Sequence, residues 1–178
     1  MNTDANIKLC HIDDLNEIFR LYALATAYQK KYITAIWPTF DREMVQREIE
    51  QQRQYKFMID KHVACVFAVA FSDPEIWFEK DKESALYIHR IAANPAFRGQ
   101  HFVKQIVAWG KEYAFSHQLY YIRMDTTAGN TRLINYYQDC GFDYLGEVQL
   151  GISDLLPAHY QNASMSLFEI KIDHDSVR

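Results

Sequence analysis

Apolar positions along this chain fall into two patterns, dense short runs and longer stripes spaced by three and four residues, and their alternation predicts a mixed α/β order. Residues 7–10 form a short strand. Asp13 or Asp14 caps a helix that carries Leu15, Ile18, Phe19, Tyr22 and Leu24 at helical spacing. Asp41 opens a second helix running to about Gln52, with Met44, Val45 and Ile49 as a narrow apolar stripe. Residues 55–59 and 63–71 read as an antiparallel pair turning at Asp60-Lys61. The charged segment 72–84 reads as a loop, with Trp77 and Phe78 in its middle.

The second half repeats the theme. Residues 85–93 form a buried strand, and 99–117 a helix whose apolar stripe is Phe102, Val103, Ile106, Val107, Gly110, Tyr113 and Ala114. Lys104, Gln105, Lys111 and Glu112 occupy its other face. Residues 120–125 are the next strand, Asn130 starts a shorter helix that stops at Gly141, and 142–150 and 165–172 are strands. Strand, helix and strand around 99–117 imply a parallel, right-handed crossover. With no internal repeat and no low-complexity linker, residues 1–178 are expected to form one domain.

Composition narrows the partners. A chain of 178 residues is long enough to bury about 70% of its unfolded surface. Net charge is −4 and no Lys/Arg cluster stands out, which argues against nucleic acid as the main partner but leaves room for a local anion pocket. Cys10, Cys65 and Cys140 are odd in number and sit in apolar runs without a CxxC pair, as expected of reduced thiols in a cytoplasmic protein. The first residues lack the basic-then-apolar pattern of a signal peptide, and the longest apolar run, 63–71, is too short to span a bilayer. No metal-ligand spacing is visible among the seven histidines, so no metal and no membrane are expected. Oligomeric state stays open, a homodimer included.

The chemistry centres on residues 86–107. An apolar strand ends at Ala93, Asn94-Pro95-Ala96-Phe97 turns the chain, and Arg98-Gly99-Gln100 opens a helix. First-turn amides without helical partners and the positive end of the dipole make such a place an anion site. An ordinary helix start with a solvated arginine is the plainer reading. A second feature favours the anion site: Asn130 stands seven residues before Tyr137, on the same helix face, and Gly141-Phe142 drops the chain into a strand.

Together these motifs resemble the GNAT superfamily of acetyl-CoA-dependent N-acetyltransferases, most strongly over residues 85–145. The resemblance implies a GNAT-like α/β fold, a mixed twisted sheet of about six or seven strands flanked by about four helices. It also implies acetyl-CoA as co-substrate. In the family's Arg/Gln-x-x-Gly-x-Gly/Ala loop, Arg98 matches, whereas His101 and Val103 stand where small residues are usual. By resemblance, Arg98, Gly99, Gln100, His101, Phe102, Val103 and Lys104 would hold the pyrophosphate. The backbone of Ile91, Ala92 and Ala93 and the side chain of Asn130 would hold pantetheine, and Tyr137 would protonate the departing thiolate. Tyr136 and Cys140 are expected to be packing residues.

A base must strip the amine of its proton. His89 is the first candidate and Asp125 the second, with a satisfied structural polar group as the competing reading of each. For the acceptor, the family's variable region offers Tyr28, Tyr32, Trp37, Phe40 and Trp77, rings that either line a cleft or seal the core. The loop 153–164, with Pro157 and His159, is a lid or wall. The expected activity is direct acetyl transfer to a primary amine. A non-catalytic acyl-CoA-binding sensor or regulatory module is the alternative, prompted by His101, Val103 and the absence of an obvious base, and an interaction domain without a coenzyme cleft is a third.

Overall fold

Seven strands and five helices form within residues 6–32 and 36–175, the part of the chain that the computed structural model describes. The strands are β1 (Ile7–Leu9), β2 (Gln54–Ile59), β3 (His62–Ala70), β4 (Ala85–Ala93), β5 (Tyr121–Thr127), β6 (Asp143–Gln149) and β7 (Ser164–Lys171). The helices are α1 (Leu15–Tyr32), α2 (Arg42–Glu50), α3 (Pro74–Trp77), α4 (Phe102–Ser116) and α5 (Thr131–Asp139). The sheet has the order β1-β2-β3-β4-β5-β7-β6. It is mixed: β4 and β5 are parallel, with α4 between them in sequence, whereas the pairs β1–β2, β2–β3, β5–β7 and β6–β7 are antiparallel.

The chain divides into two compact units, Met1–Val69 with His89–Phe102, and Ala70–Ile88 with Val103–Arg178. All three divisions fall inside continuous elements, β3, β4 and α4, so no linker composition marks them.

In the first unit, β2 and β3 form the expected hairpin, Ile59 opposite His62, with Asp60 in the left-handed region at φ 53°. A 3-10 turn over Ile12–Asp14 leads into α1. His11 takes the cap position there, and the Asp14 carboxylate accepts from its backbone N–H at 2.7 Å. The predicted cap, Asp13 or Asp14, is therefore inside the first turn. Asp41 caps α2 as expected, accepting from the amides of Glu43 and Met44. Ile18, Leu21, Tyr22, Val45, Ile49, Val66 and Ala92 form the core of this unit.

One charged pair lies within that core. Glu48, buried on α2 beside Val45 and Ile49, accepts from Arg90 and from the Gln54 amide at 2.8 Å. Tyr22 Oη accepts from Gln54 Nε2 and Arg90 Nε, each at 3.3 Å, and the Arg90 guanidinium lies 5.3 Å from the Phe40 ring centre. Arg90 also has φ 51°, a rare conformation for a residue inside a strand. The ion pair and the phenol thus hold a strained backbone position in β4.

In the second unit, Ile76, Trp77, Ala85, Tyr87, Leu150, Leu156, Met165 and Leu167 form the core. Segment 72–84, read from sequence as a loop, is folded: α3 starts with Pro74 at its first position and a 3-10 turn, Phe78–Lys82, follows. The cause is Arg123 of β5, whose side chain is fully buried. It donates to Glu83 and Glu169 at 2.7 Å, to the Lys80 carbonyl at 2.6 Å and to Tyr87 Oη at 3.1 Å. The run keeps its charged side chains largely exposed, while the Lys80 carbonyl and the Glu83 carboxylate reach in to the buried cation. Farther along, α5 ends at Cys140, and Gly141 takes φ 101°, the left-handed stop that its sequence position announces.

Removing one partner of a buried ion pair strands the other. Glu48→Ala should lower the unfolding free energy by about 3 kcal/mol, read from urea denaturation. Glu48→Leu combined with Arg90→Met should recover most of that loss.

Candidate active site

The opening of α4 is built by a sequence of local constraints. Asn94 donates its backbone N–H to the Ala64 carbonyl at 2.8 Å, and its Oδ1 accepts from the Ala96 amide at 3.1 Å, starting the 3-10 turn Pro95–Phe97. Gly99 and His101 then take φ 82° and 52°, and α4 begins at Phe102, three residues later than the sequence implied. Left-handed residues in this alternation turn successive N–H groups to one side, the backbone nest that binds anions. The first-turn amides of α4 add donors without helical partners.

This geometry explains the two departures at His101 and Val103. The usual glycine supplies a positive φ, and His101 adopts it despite its Cβ. Val103 is 8% exposed, so its side chain points inward and leaves the loop surface open. Arg98, exposed, places its guanidinium 4.8 Å from the ring centre of Tyr28. Gln100 and Lys104 are exposed, Phe102 is buried, and at the end of β4 Ile91 is half-buried, Ala92 buried and Ala93 exposed.

α5 presents the second feature. Asn130 Oδ1 accepts from the Leu133 amide at 3.1 Å, so the side-chain oxygen caps the helix and its amide N–H groups remain the available donor chemistry. Tyr137 packs edge-on against Phe168 at 5.1 Å and Phe142 at 6.3 Å. Burial, helped by Tyr136, Cys140 and Asp125, raises its hydroxyl above the ordinary phenol value, which keeps the proton on oxygen at neutral pH. Tyr136 and Cys140 are neighbours, and burial raises the Cys140 thiol too, an inert state consistent with packing.

The two candidate bases respond oppositely to burial. In the first unit, burial pushes His89 down to about 3, with Arg90 and Arg53 adding to the effect. An imidazole held so low takes up no second proton near neutrality. In the second unit, burial pushes Asp125 up to about 7, opposed by the indole of Trp77. Asp73 is a residue that sequence reasoning left in a solvated loop. Burial and then the charges of Asp125, Asp81 and Glu75 raise it to about 7 as well. The signal was an Asp-Pro pair directly after a buried strand, a helix start that the following charge run disguised.

Of the rings proposed for the acceptor, Trp37 and Phe40 do cluster, 5.7 Å apart, and both pack on Tyr22, a residue not proposed for that role, at 5.9 Å and 5.1 Å. Tyr22 and Phe40 line a cleft of about 290 Å³ with Phe19, Thr26, Lys30 and Thr39. Tyr28 is instead the platform under Arg98. The Tyr32 side chain lies outside the described residues. Trp77, 2% exposed, belongs to the core of the second unit and offers no ring to a cleft. The segment around Pro157 and His159 forms a 3-10 turn, Ala158–Tyr160, braced by Gln161, which donates to the carbonyls of Ser153 and Leu156. Among the described residues no helix is long and apolar enough to cross a membrane.

Comparisons with known proteins give the family and the fold. The family model described as the acetyltransferase (GNAT) family matches residues 16–142. The uncharacterized N-acetyltransferase YesJ of Bacillus subtilis is 26% identical over 102 residues, 55% of this chain and 57% of that protein. The matched region therefore spans little more than half the length of that relative. A GNAT-family acetyltransferase from Listeria monocytogenes has the same fold, with a TM-score of 0.74 and 19% identity over 93% of this chain and 94% of that one. So does yncA, a putative acetyltransferase from Salmonella typhimurium solved with acetyl-CoA, with a TM-score of 0.67 and 13% identity over 96% and 95% of the two chains.

If His101 occupies a glycine conformation, glycine should suit it better. His101→Gly should raise Tm by about 2–4 °C, the equivalent of about 1 kcal/mol. His101→Val, β-branched, should lower Tm in the same thermal melt.

Proposed function

The chain belongs to the acetyltransferase (GNAT) family, and from that premise we propose that it transfers an acetyl group from acetyl-CoA directly to the nitrogen of a primary amine. The observation that carries this reading is the family match itself, which spans both the nest at the start of α4 and Tyr137 of α5.

Each residue then has a task. The amides from Gly99 to Lys104, with the Arg98 guanidinium, receive the pyrophosphate. The backbone of Ile91, Ala92 and Ala93 and the amide N–H groups of Asn130 receive pantetheine. Tyr137 keeps its proton until the thiolate leaves and then delivers it. The aromatic cleft bounded by Tyr22 and Phe40 takes the apolar part of the acceptor. Transfer runs through a tetrahedral intermediate in a ternary complex and needs no covalent enzyme species, in keeping with the inert, buried Cys140.

Millimolar CoA or acetyl-CoA should raise the melting temperature, and thiol should be released when an amine panel is added. Tyr137→Phe should lower kcat by about 100-fold while leaving KM for acetyl-CoA unchanged. Binding without turnover over the whole panel would instead identify a sensor module, and the absence of any thermal shift would remove the coenzyme assignment.

A further inference from the structure

One face of α1 lines the aromatic cleft for most of the helix. Phe19, Tyr22, Ala23, Thr26, Ala27 and Lys30 follow at the spacing of a single helix face, and residues 38–40 form the opposite wall. Every lining residue belongs to the first unit. The cleft is polarised along the helix. Phe19, Tyr22 and Phe40 close its deep end, where Tyr22 is buried, whereas Thr26 is half-buried and Ala27, Lys30 and Thr39 are exposed. From Tyr22 to Lys30 the helix rises about 12 Å. A volume of about 290 Å³ lies at the lower end of ligand pockets and suits a small molecule.

The deep end is held in place and already has its cations. Tyr22 Oη accepts from Gln54 Nε2 and Arg90 Nε, each at 3.3 Å, and its ring packs on Phe40 at 5.1 Å. The Arg90 guanidinium lies 5.3 Å from the ring centre of Phe40, and that of Arg42 lies 5.5 Å from the ring centre of Phe19. Aromatic rings ordinarily attract an ammonium, but a second cation at either ring meets the guanidinium already there. Glu48 neutralises Arg90. Arg42 donates to Asn16 Oδ1 and forms no ion pair among the described residues. At the open end Lys30 has neither an ion pair nor a side-chain hydrogen bond among the described residues. No Asp or Glu lines the cleft, and Asp41, next in sequence to Phe40, is engaged by the amides of Glu43 and Met44 that it caps.

We infer that this cleft selects an amine that also carries a carboxylate, with its apolar chain or ring against the aromatic end and its carboxylate paired with Lys30; that this molecule is the acetyl acceptor rests on the acetyltransferase reading above. The apolar body gains by leaving water for the faces of Phe19, Tyr22 and Phe40. The carboxylate needs a cation, and Lys30 supplies it from the lining on a flexible stem that covers part of the groove's length. The hydroxyls of Thr26 and Thr39, each donor and acceptor, serve polar atoms along the way. A diamine or polyamine is selected against, because its second ammonium finds no carboxylate in the lining and meets Lys30 or the guanidinium groups at the rings. Lys30 is thus a specificity-determining residue with no part in the bond-making steps.

Calorimetric titration of the full chain at low ionic strength tests this with two matched pairs, phenylalanine against phenethylamine and leucine against isopentylamine, which differ only in the carboxylate. The carboxylate member of each pair should bind about fivefold tighter or better. Lys30→Gln should remove the difference, and Lys30→Arg should keep it. Ala23→Trp, which places an indole in the cleft from an exposed helix position, should abolish binding of all four compounds while its circular dichroism matches wild type. Carboxylates that bind no better than their partners, or not at all, overturn the inference. So does a preference that survives in Lys30→Gln, or binding that Ala23→Trp leaves intact. Thiol release from acetyl-CoA separates this inference from the reading beneath it. A wild type that prefers the carboxylates but acetylates none of the four overturns the transfer reading and leaves the selectivity of the cleft standing. One that acetylates amines without regard to a carboxylate keeps the transfer reading and overturns the inference.

Discussion

A guanidinium carried into the middle of an apolar strand must be surrounded by acceptors, and the satisfaction of Arg123 organises the second unit. Its neighbours in β5, Ile122 and Met124, are buried apolar residues, and its own side chain has no exposed surface. Four acceptors close on it, from Glu169 of β7, Tyr87 of β4, Glu83 and the Lys80 carbonyl. The last two belong to the segment that follows α3, so the cation folds that segment onto the sheet. Aromatic faces complete the cage, with Tyr121 at 4.6 Å and Trp77 at 5.0 Å. Through Tyr87 the same network reaches Asp81, and through Asp81 the backbone of Asp73. The backbone position of Asp73 is thus set three hydrogen bonds away from Arg123.

The first unit relies on a related device applied to backbone shape. Arg90 and His101 both take φ near +50°, where a Cβ is unwelcome. Arg90 is anchored by Glu48 and Tyr22, each buried, so its conformation is enforced by side-chain chemistry. His101 is exposed, and its strain is set by the chain on either side, Gly99 before it and the helix after it. A Cβ is tolerated there because the turn into α4 requires a positive φ and not a small side chain.

That distinction shows what was legible in the sequence. Local signals located all seven strands and the four longer helices, hydrophobic spacing for those that bury a face and the Asn130 start and Gly141 stop for α5. Asn130, Tyr137 and Gly141 kept their predicted helix positions for the same reason. Glu48 escaped notice because it lies on the apolar face of α2 and finds its partner forty-two residues away. Segment 72–84 escaped because Glu79, Lys80, Asp81, Lys82 and Glu83 look like a solvated run, and only Arg123, distant in sequence, gives them something to fold around. The division into two units leaves no compositional trace because it falls within β3, β4 and α4, where the hydrogen-bonded structure is continuous. Trp77 was misplaced with its loop: once that loop folds, an indole in its middle has nowhere to go but the core.

The two candidate bases, His89 and Asp125, are moved in opposite directions by one effect. Sequence reasoning favours histidine because its unperturbed value lies near neutrality and carboxylates lie far below it. Burial reverses this order, since it disfavours whichever form is charged. For an imidazole the charged form is the protonated one, so burial, reinforced by Arg90 and Arg53, drives His89 away from neutrality. For a carboxyl the charged form is the deprotonated one, so the same desolvation, reinforced by a neighbouring carboxylate, drives Asp73 toward it. Burial by itself thus brings a carboxyl such as Asp125 to about 7, where a carboxyl can both take up and release a proton near neutrality.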